Sequence, residues 1–187
     1  MPLLDHFGWL APHYDRFIST PEDGVLADLL GLPYAGDLLD AGGGTGRIAA
    51  TLAGKVERVV IADESLAMLG QAQAKGCCEA VGGTTERLPF RDGAFGRIIV
   101  VDAYHHLGDQ AASLHELWRV LAVGGRLVIE EPDIDRFAVK LVALAEKLLL
   151  MRTRFVRAEA IAAGLEALGG RTEITRQEQT CWVTGVK

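Results

Sequence analysis

At 187 residues, 49% hydrophobic and 24% charged, the chain is long enough for one domain with a substantial core. Its net charge of −6 lacks the basic excess of a dedicated nucleic-acid binder, so no nucleic acid is expected as a partner. Three cysteines, Cys77, Cys78 and Cys181, make neither a disulfide framework nor a Cys-x-x-Cys zinc motif.

The first residues show no basic segment followed by an apolar run, so no signal peptide is expected. The stretch 137–151 is broken by Lys140, Glu146 and Lys147 and is too short and too charged to span a bilayer. With the free thiols, this predicts a reducing, cytoplasmic setting. The basic residues Lys147, Arg152, Arg154 and Arg157 read as a solvated helix face and turn.

In chain order, residues 1–35 hold Trp9, Tyr14, Phe17 and a helical stretch over 21–30, and they read as a cover over a sheet. An apolar strand at 37–41 leads into glycines at 42, 43, 44 and 46, and a helix follows. Strands are predicted at 58–62, 79–82, 97–102 and 126–130. Their near-continuous β-branched runs suit strands covered on both faces. Between them, one helix opens at the N-cap Ser65 and carries Leu66, Leu69 and Ala72. Another spans 110–121, with Leu114, Leu117 and Leu121 on one stripe, and Gly124-Gly125 is read as its stop. After Pro132, helical periodicity runs over 134–151 and 156–168 and closes on Gly169-Gly170. Residues 171–187 alternate and read as a final hairpin. This predicts a single α/β domain of Rossmann-like build: a mostly parallel seven-stranded sheet, helices on both faces and an antiparallel edge strand. Its parts are a cover over 1–35, a core over 36–131, and helices with final strands over 132–187.

Two ligands compete for the glycine loop. Gly44-x-Gly46-x-x-Ala49 meets the loose dinucleotide pattern, although Arg47 spoils the version that begins at Gly42. The longer string Asp40-x-Gly42-x-Gly44-x-Gly46 points instead to S-adenosylmethionine. Further motifs follow in order: Val59-Val60-Ile61-Ala62-Asp63, then Gly83-Thr84-Thr85-Glu86-Arg87-Leu88-Pro89-Phe90, then Tyr104-His105-His106-Leu107, then Arg119-Val120-Leu121-Ala122-Val123-Gly124-Gly125. On these, and on Ala11-Pro12-His13-Tyr14-Asp15, the chain resembles the class I methyltransferases over nearly its whole length. The resemblance is strongest to the small-molecule branch that includes the ubiquinone/menaquinone C-methyltransferases. Three positions depart from the family pattern: Thr84 stands where an acid is usual, Gly96 where Asp is usual after Phe95, and Val123 where Pro is usual.

Asp63 ends a strand roughly twenty residues beyond the loop, the spacing of a ribose-binding acid, and its carboxylate suits two hydroxyl donors. Its other reading is a cap on the helix at Ser65. The resemblance assigns Asp40, Gly42, Gly43 and Gly44 to the methionine and ribose parts of the cofactor. It assigns Glu64, Met68, Thr84, Thr85 and Glu86 to the adenosine side, and Asp102 and Ala103 to the strand end beside it. Tyr14, in the cover, is expected to close over the methionine end.

The carboxyl ends of strands four and five face the reacting methyl in such a fold, which brings forward His105 and His106 as bases. Tyr104 is read as packing on the cofactor edge or in the core. Glu130 and Glu131 are expected to put at least one carboxylate in the crevice. A clear third metal ligand is missing beside them, so no metal is expected. The leucine-rich region 133–155 implies an apolar or amphipathic small-molecule acceptor, and the same leucines would equally serve a homodimer surface. The function implied is methyl transfer from S-adenosylmethionine, with S-adenosylhomocysteine as product. The alternatives are an NAD(P)-binding oxidoreductase and a catalytically silent cofactor-binding protein.

Overall fold

The computed structural model describes residues 23–136, 139 and 153–187 of the chain. The expected contributions of Trp9, Tyr14 and Phe17, and most of the helix at 134–151, lie outside the described residues. The elements are α1 (Asp23–Leu30), β1 (Tyr34–Ala41), α2 (Arg47–Leu52), β2 (Val56–Asp63), α3 (Leu66–Lys75) and β3 (Glu79–Gly82). There follow β4 (Phe95–Val101), a 3₁₀ turn (Tyr104–His106), α4 (Gln110–Val120), β5 (Leu121–Pro132), α5 (Ala158–Ala167), β6 (Arg171–Gln177) and β7 (Thr180–Val186).

The strand order is β3-β2-β1-β4-β5-β7-β6. The first five strands are parallel, and β7 runs antiparallel between β5 and β6, supplying the antiparallel margin. Paired apolar residues explain why both faces are covered, because neighbours on a strand point to opposite sides. Leu39, Val60, Ile98 and Leu127 join Leu117, Trp118 and Leu165 of α4 and α5 in one core layer. Leu38, Val59, Ile99 and Val128 join Leu26, Ile48 and Leu69 of α1, α2 and α3 in the other. Each such fully buried aliphatic side chain contributes about 1.5–3 kcal/mol.

Strands β1, β2 and β5 all start earlier than the apolar runs suggest. Gly124-Gly125 does not stop the helix. Helix α4 ends at Val120 and passes directly into β5, and the double glycine lies within that strand. There the register against β4 shifts between Phe95 and Arg97, so the extra residues form a bulge. A glycine pair has the same composition in a helix cap and in a strand bulge, and strand pairing decides between them.

Gly96 has a packing reason. A Cβ there would meet the Tyr34 ring, 2.5 Å from Cζ, and would run into its hydroxyl. The Arg97 guanidinium sits over that ring, 3.9 Å from its centroid, and its Nε donates to the Leu30 carbonyl at the end of α1. Gly96→Ala is therefore expected to cost about 1–3 kcal/mol through overpacking, read as a lower urea midpoint. The cost should largely vanish in a Tyr34→Ala background; an equal cost in both backgrounds would refute the contact.

Candidate functional site

The chain reverses its winding between β1, whose next strand lies on one side, and β4, which adds on the other. Ligands of open α/β sheets bind at the carboxyl ends of strands at such a point. A cavity of about 480 Å³ lies there, within the range of about 300–1,000 Å³ usual for small-molecule sites. Gly42, Gly43 and Gly44 from the loop after β1 form one part of its lining. Asp63, Glu64 and Met68 come from the β2–α3 junction, and Thr84, Thr85 and Glu86 from the segment after β3. Asp102 and Ala103 come from the end of β4, and His106, Leu107 and Gly108 from the turn beyond it. A more open depression of about 610 Å³ lies at the other end of the sheet, by Tyr34 and Arg58. Arg58 is already paired there with Asp37, and of the motif residues only Ala122 is on its lining.

Asp63 joins the loop to the helix. Its Oδ2 accepts from the Gly44 amide at 2.9 Å and its Oδ1 from the Ser65 amide at 2.8 Å. Burial pushes its pKa up, and these amides, with that of Glu64, pull the other way. A carboxylate has about four lone-pair sites, so acceptor capacity remains beyond these three amides. The ligand-binding and helix-capping readings thus describe one side chain. Ser65 completes the start of α3 by accepting from the Met68 amide.

Asp40 lies behind the loop, 1% exposed, and does not line the cavity. A Cβ on Gly43 would stand 2.5 Å from the Asp40 carboxyl carbon, so the loop backbone rests on this carboxyl. Its Oδ2 is buried without a hydrogen-bond partner. Burial, reinforced by the Asp63 charge, pushes its pKa up to about 7, against Arg47 and the Ala49 amide. Asp40 therefore touches the cavity only through the loop. From outside, Lys75 Nζ donates to the Thr45 carbonyl at 2.7 Å and holds the same loop.

The sequence reading missed Arg47, a cavity residue that it treated only as an obstacle to a dinucleotide turn. Its guanidinium lies 3.8 Å from Asp102 Oδ2. Asp102 takes φ 51, a left-handed conformation uncommon for a residue other than glycine, and its amide donates to the Glu130 carbonyl. Burial raises its pKa, and Arg47 and His105 oppose that rise. In the segment after β3, Thr84 is an exposed residue, and Thr85 Oγ1 is hydrogen-bonded to Ser113 Oγ at 2.9 Å. Glu86 Oε1 accepts from the Asp109 amide.

The two histidines separate. His106 lines the cavity. His105 is 4% exposed, with Nδ1 2.7 Å from Glu131 Oε2 and its ring stacked on Phe155 at 4.3 Å. Tyr104 is a core residue, its hydroxyl donating to the Gln110 carbonyl, and its pKa is pushed up to about 12 by burial. Neither Glu130 nor Glu131 lines the cavity, contrary to expectation. Glu130 accepts from Trp182 Nε1 at 2.6 Å, and Glu131 is taken by His105 and the Tyr104 amide. Both partners lie far off in sequence, which hides the pairing from any local pattern. Asp133 is buried beside Arg136 and Arg176.

A sequence model of the family described as "Methyltransferase domain" matches residues 39–129. The chain is 34% identical over 140 residues to a demethylmenaquinone methyltransferase of Mycolicibacterium vanbaalenii, covering 75% of this chain and 60% of that one. It is 33% identical over 114 residues to a ubiquinone/menaquinone biosynthesis C-methyltransferase of Klebsiella pneumoniae, covering 56% of this chain and 45% of that one. The chain thus spans about half to three-fifths of the length of these relatives. In fold it is similar to a SAM-dependent methyltransferase of Thermotoga maritima, with TM-score 0.77 and 22% identity over 97% of this chain and 98% of that one. It is also similar to DhpI, solved in a complex with SAM, with TM-score 0.74 and 18% identity over 97% of this chain and 94% of that one. These comparisons disfavour the dinucleotide oxidoreductase.

Proposed function

We infer, from the premise that the chain carries a class I methyltransferase domain, that the protein methylates a small apolar or amphipathic acceptor with S-adenosylmethionine, releasing S-adenosylhomocysteine. The observation that carries this reading is Asp63: a carboxylate on the cavity wall, tied to the Gly44 amide and retaining acceptor capacity for ribose hydroxyls. The residues present fit the cofactor in shape as well. Gly42 is packed against Ala103, where a Cβ would stand 2.8 Å from that of Ala103, and Gly42, Gly43 and Gly44 put backbone on the cavity wall.

When bound, S-adenosylmethionine supplies an electrophilic methyl carbon on a sulfonium. The chain's part is to hold and orient its reactants and to exclude water. Asp63 takes the ribose, Met68 gives an apolar wall, and Thr84, Thr85 and Glu86 flank the adenine side. Arg47 with Asp102 fixes the opposite wall. His106 is the residue that takes a proton from the acceptor, since its imidazole is on the wall and that of His105 is already committed. The names of the relatives favour a demethylated quinol as the acceptor class.

Calorimetric titration with S-adenosylmethionine, S-adenosylhomocysteine, NAD and NADP tests the donor. The first two are expected to bind, and binding of a dinucleotide alone would overturn the reading. Transfer of label from methyl-labelled S-adenosylmethionine to a demethylmenaquinol analogue tests the acceptor. Cofactor binding with no transfer to this or any other small-molecule acceptor would leave the silent cofactor-binding protein as the better account.

A further inference from the structure

The adjacent histidines of this turn have different surroundings. Of this pair, His106 lines the cavity and His105 turns into the protein. His105 is nonetheless the more elaborately held of the two. Glu131, from the end of β5, approaches its Nδ1 at 2.7 Å with one carboxylate oxygen, and its other oxygen accepts from the Tyr104 amide at 2.9 Å. The Phe155 ring lies nearly parallel to the His105 ring, 12° apart in plane and 4.3 Å between centroids. The His106 ring packs against it at 4.0 Å, tilted by 45°. The backbone repeats the connection: the Arg154 amide donates to the His105 carbonyl at 2.7 Å. Gln110 Nε2 donates to both the Tyr104 and Arg154 carbonyls.

These contacts do more than fill space. Burial pushes the Glu131 pKa up, and the His105 imidazole and the Tyr104 amide oppose that rise only in part. A buried carboxylate of this kind is strongly destabilising once its partner is removed, so the Glu131–His105 contact fixes the ring plane and the tautomer together. The His106 imidazole then rests against a ring held in place by Glu131 and Phe155.

We propose that His105 is a positioning residue, which through Glu131 and Phe155 sets the orientation and proton affinity of the His106 imidazole on the cavity wall. The proposal rests on the reading of His106 as the proton acceptor. The charged and titratable groups facing His105 are Glu131 from β5, Asp102 from the end of β4 and His106 beside it, while Arg154 meets it through its backbone amide. Only Glu131 makes a direct bond to the ring among the contacts described above, which makes it the group to change.

The test is the proton-affinity readout of His106 itself. Imidazole Cε1–H resonances are followed through pH by NMR in the wild-type protein and in Glu131→Gln, with His106→Gln used for assignment. Glu131→Gln keeps the size of the side chain and a carbonyl acceptor while removing the charge. The His106 titration midpoint is expected to fall by about half a unit or more, with S-adenosylhomocysteine affinity unchanged within twofold. An unmoved midpoint in a folded Glu131→Gln protein would overturn the proposal. Should that variant not fold, Glu131→Asp keeps the charge but retracts it, and the midpoint should move the same way by less; no movement there also overturns it. With a demethylmenaquinol analogue, kcat should fall about tenfold with little change in KM for the acceptor. If no transfer to that acceptor occurs in the wild type, the functional reading fails while the NMR midpoint still judges the positioning role.

Discussion

Asp63→Ala is expected to weaken S-adenosylhomocysteine binding by about a hundredfold or more, measured by calorimetry on the folded protein. Hydrogen bonds to a charged group are worth about 1.5–3 kcal/mol each, and two ribose hydroxyls would lose their acceptor together. The same change releases the Gly44 and Ser65 amides, which Asp63 now holds at 2.9 and 2.8 Å. The loop and the first turn of α3 then lose their common tie. Asp63→Asn separates the two effects, because its carbonyl oxygen still accepts one bond while the charge is gone. It should fall between wild type and Asp63→Ala. An Asp63→Ala protein that bound the homocysteine product within fivefold of wild type would remove the residue on which the whole functional reading stands.

Asp40→Asn is expected to stabilise the protein at alkaline pH and to leave it unchanged in acid. The folded-state pKa of Asp40 is raised to about 7 from 3.8, chiefly by burial. Between those values the native state holds a proton that the unfolded chain releases, so stability falls as pH rises. The contribution of the neutral form is complete below the unfolded value and is lost once pH passes the folded one. Glu130, also raised to about 7, adds to the same slope. A neutral amide at position 40 removes the Asp40 share, a gain of about 2–4 kcal/mol at pH 8 and none near pH 4. Urea unfolding at both pH values reads the difference. An equal effect at the two pH values would show that Asp40 does not titrate in this range.

The glycine loop, Asp63 and the 83–90 segment were legible because each depends on chemistry within a few residues. A strand end, a turn that needs glycine and a carboxylate at a fixed distance leave a local trace. The five parallel strands were legible for the same reason, through runs such as Val59-Val60-Ile61 that only a doubly covered strand can bury. What failed to show depended on partners distant in the chain. Glu130 turns to Trp182 and Glu131 to His105, across separations of 52 and 26 residues, and this empties the crevice of both carboxylates. The same bond decides which histidine faces the cavity, a choice that a His-His pair does not record. Gly96 stands where the methyltransferases that the chain resembles usually carry an acid, and Tyr34, 62 residues earlier, leaves no room for a Cβ there. Arg47 was read against a motif it did not fit, so its pairing with Asp102 went unseen.

Strand β7 is the last in sequence order but an interior one in space, between β5 and β6. Synthesis proceeds from the other end. While the ribosome is still adding residues beyond Pro132, the edge of β5 carries the backbone donors and acceptors of Leu127, Val128 and Ile129 with no strand beside them. That edge is apolar and open, a template for another nascent chain. It is satisfied only when residues 180–186 emerge and slot in against it. Closure of this sheet is therefore long-range in sequence, joining residues 126–132 to residues 180–186.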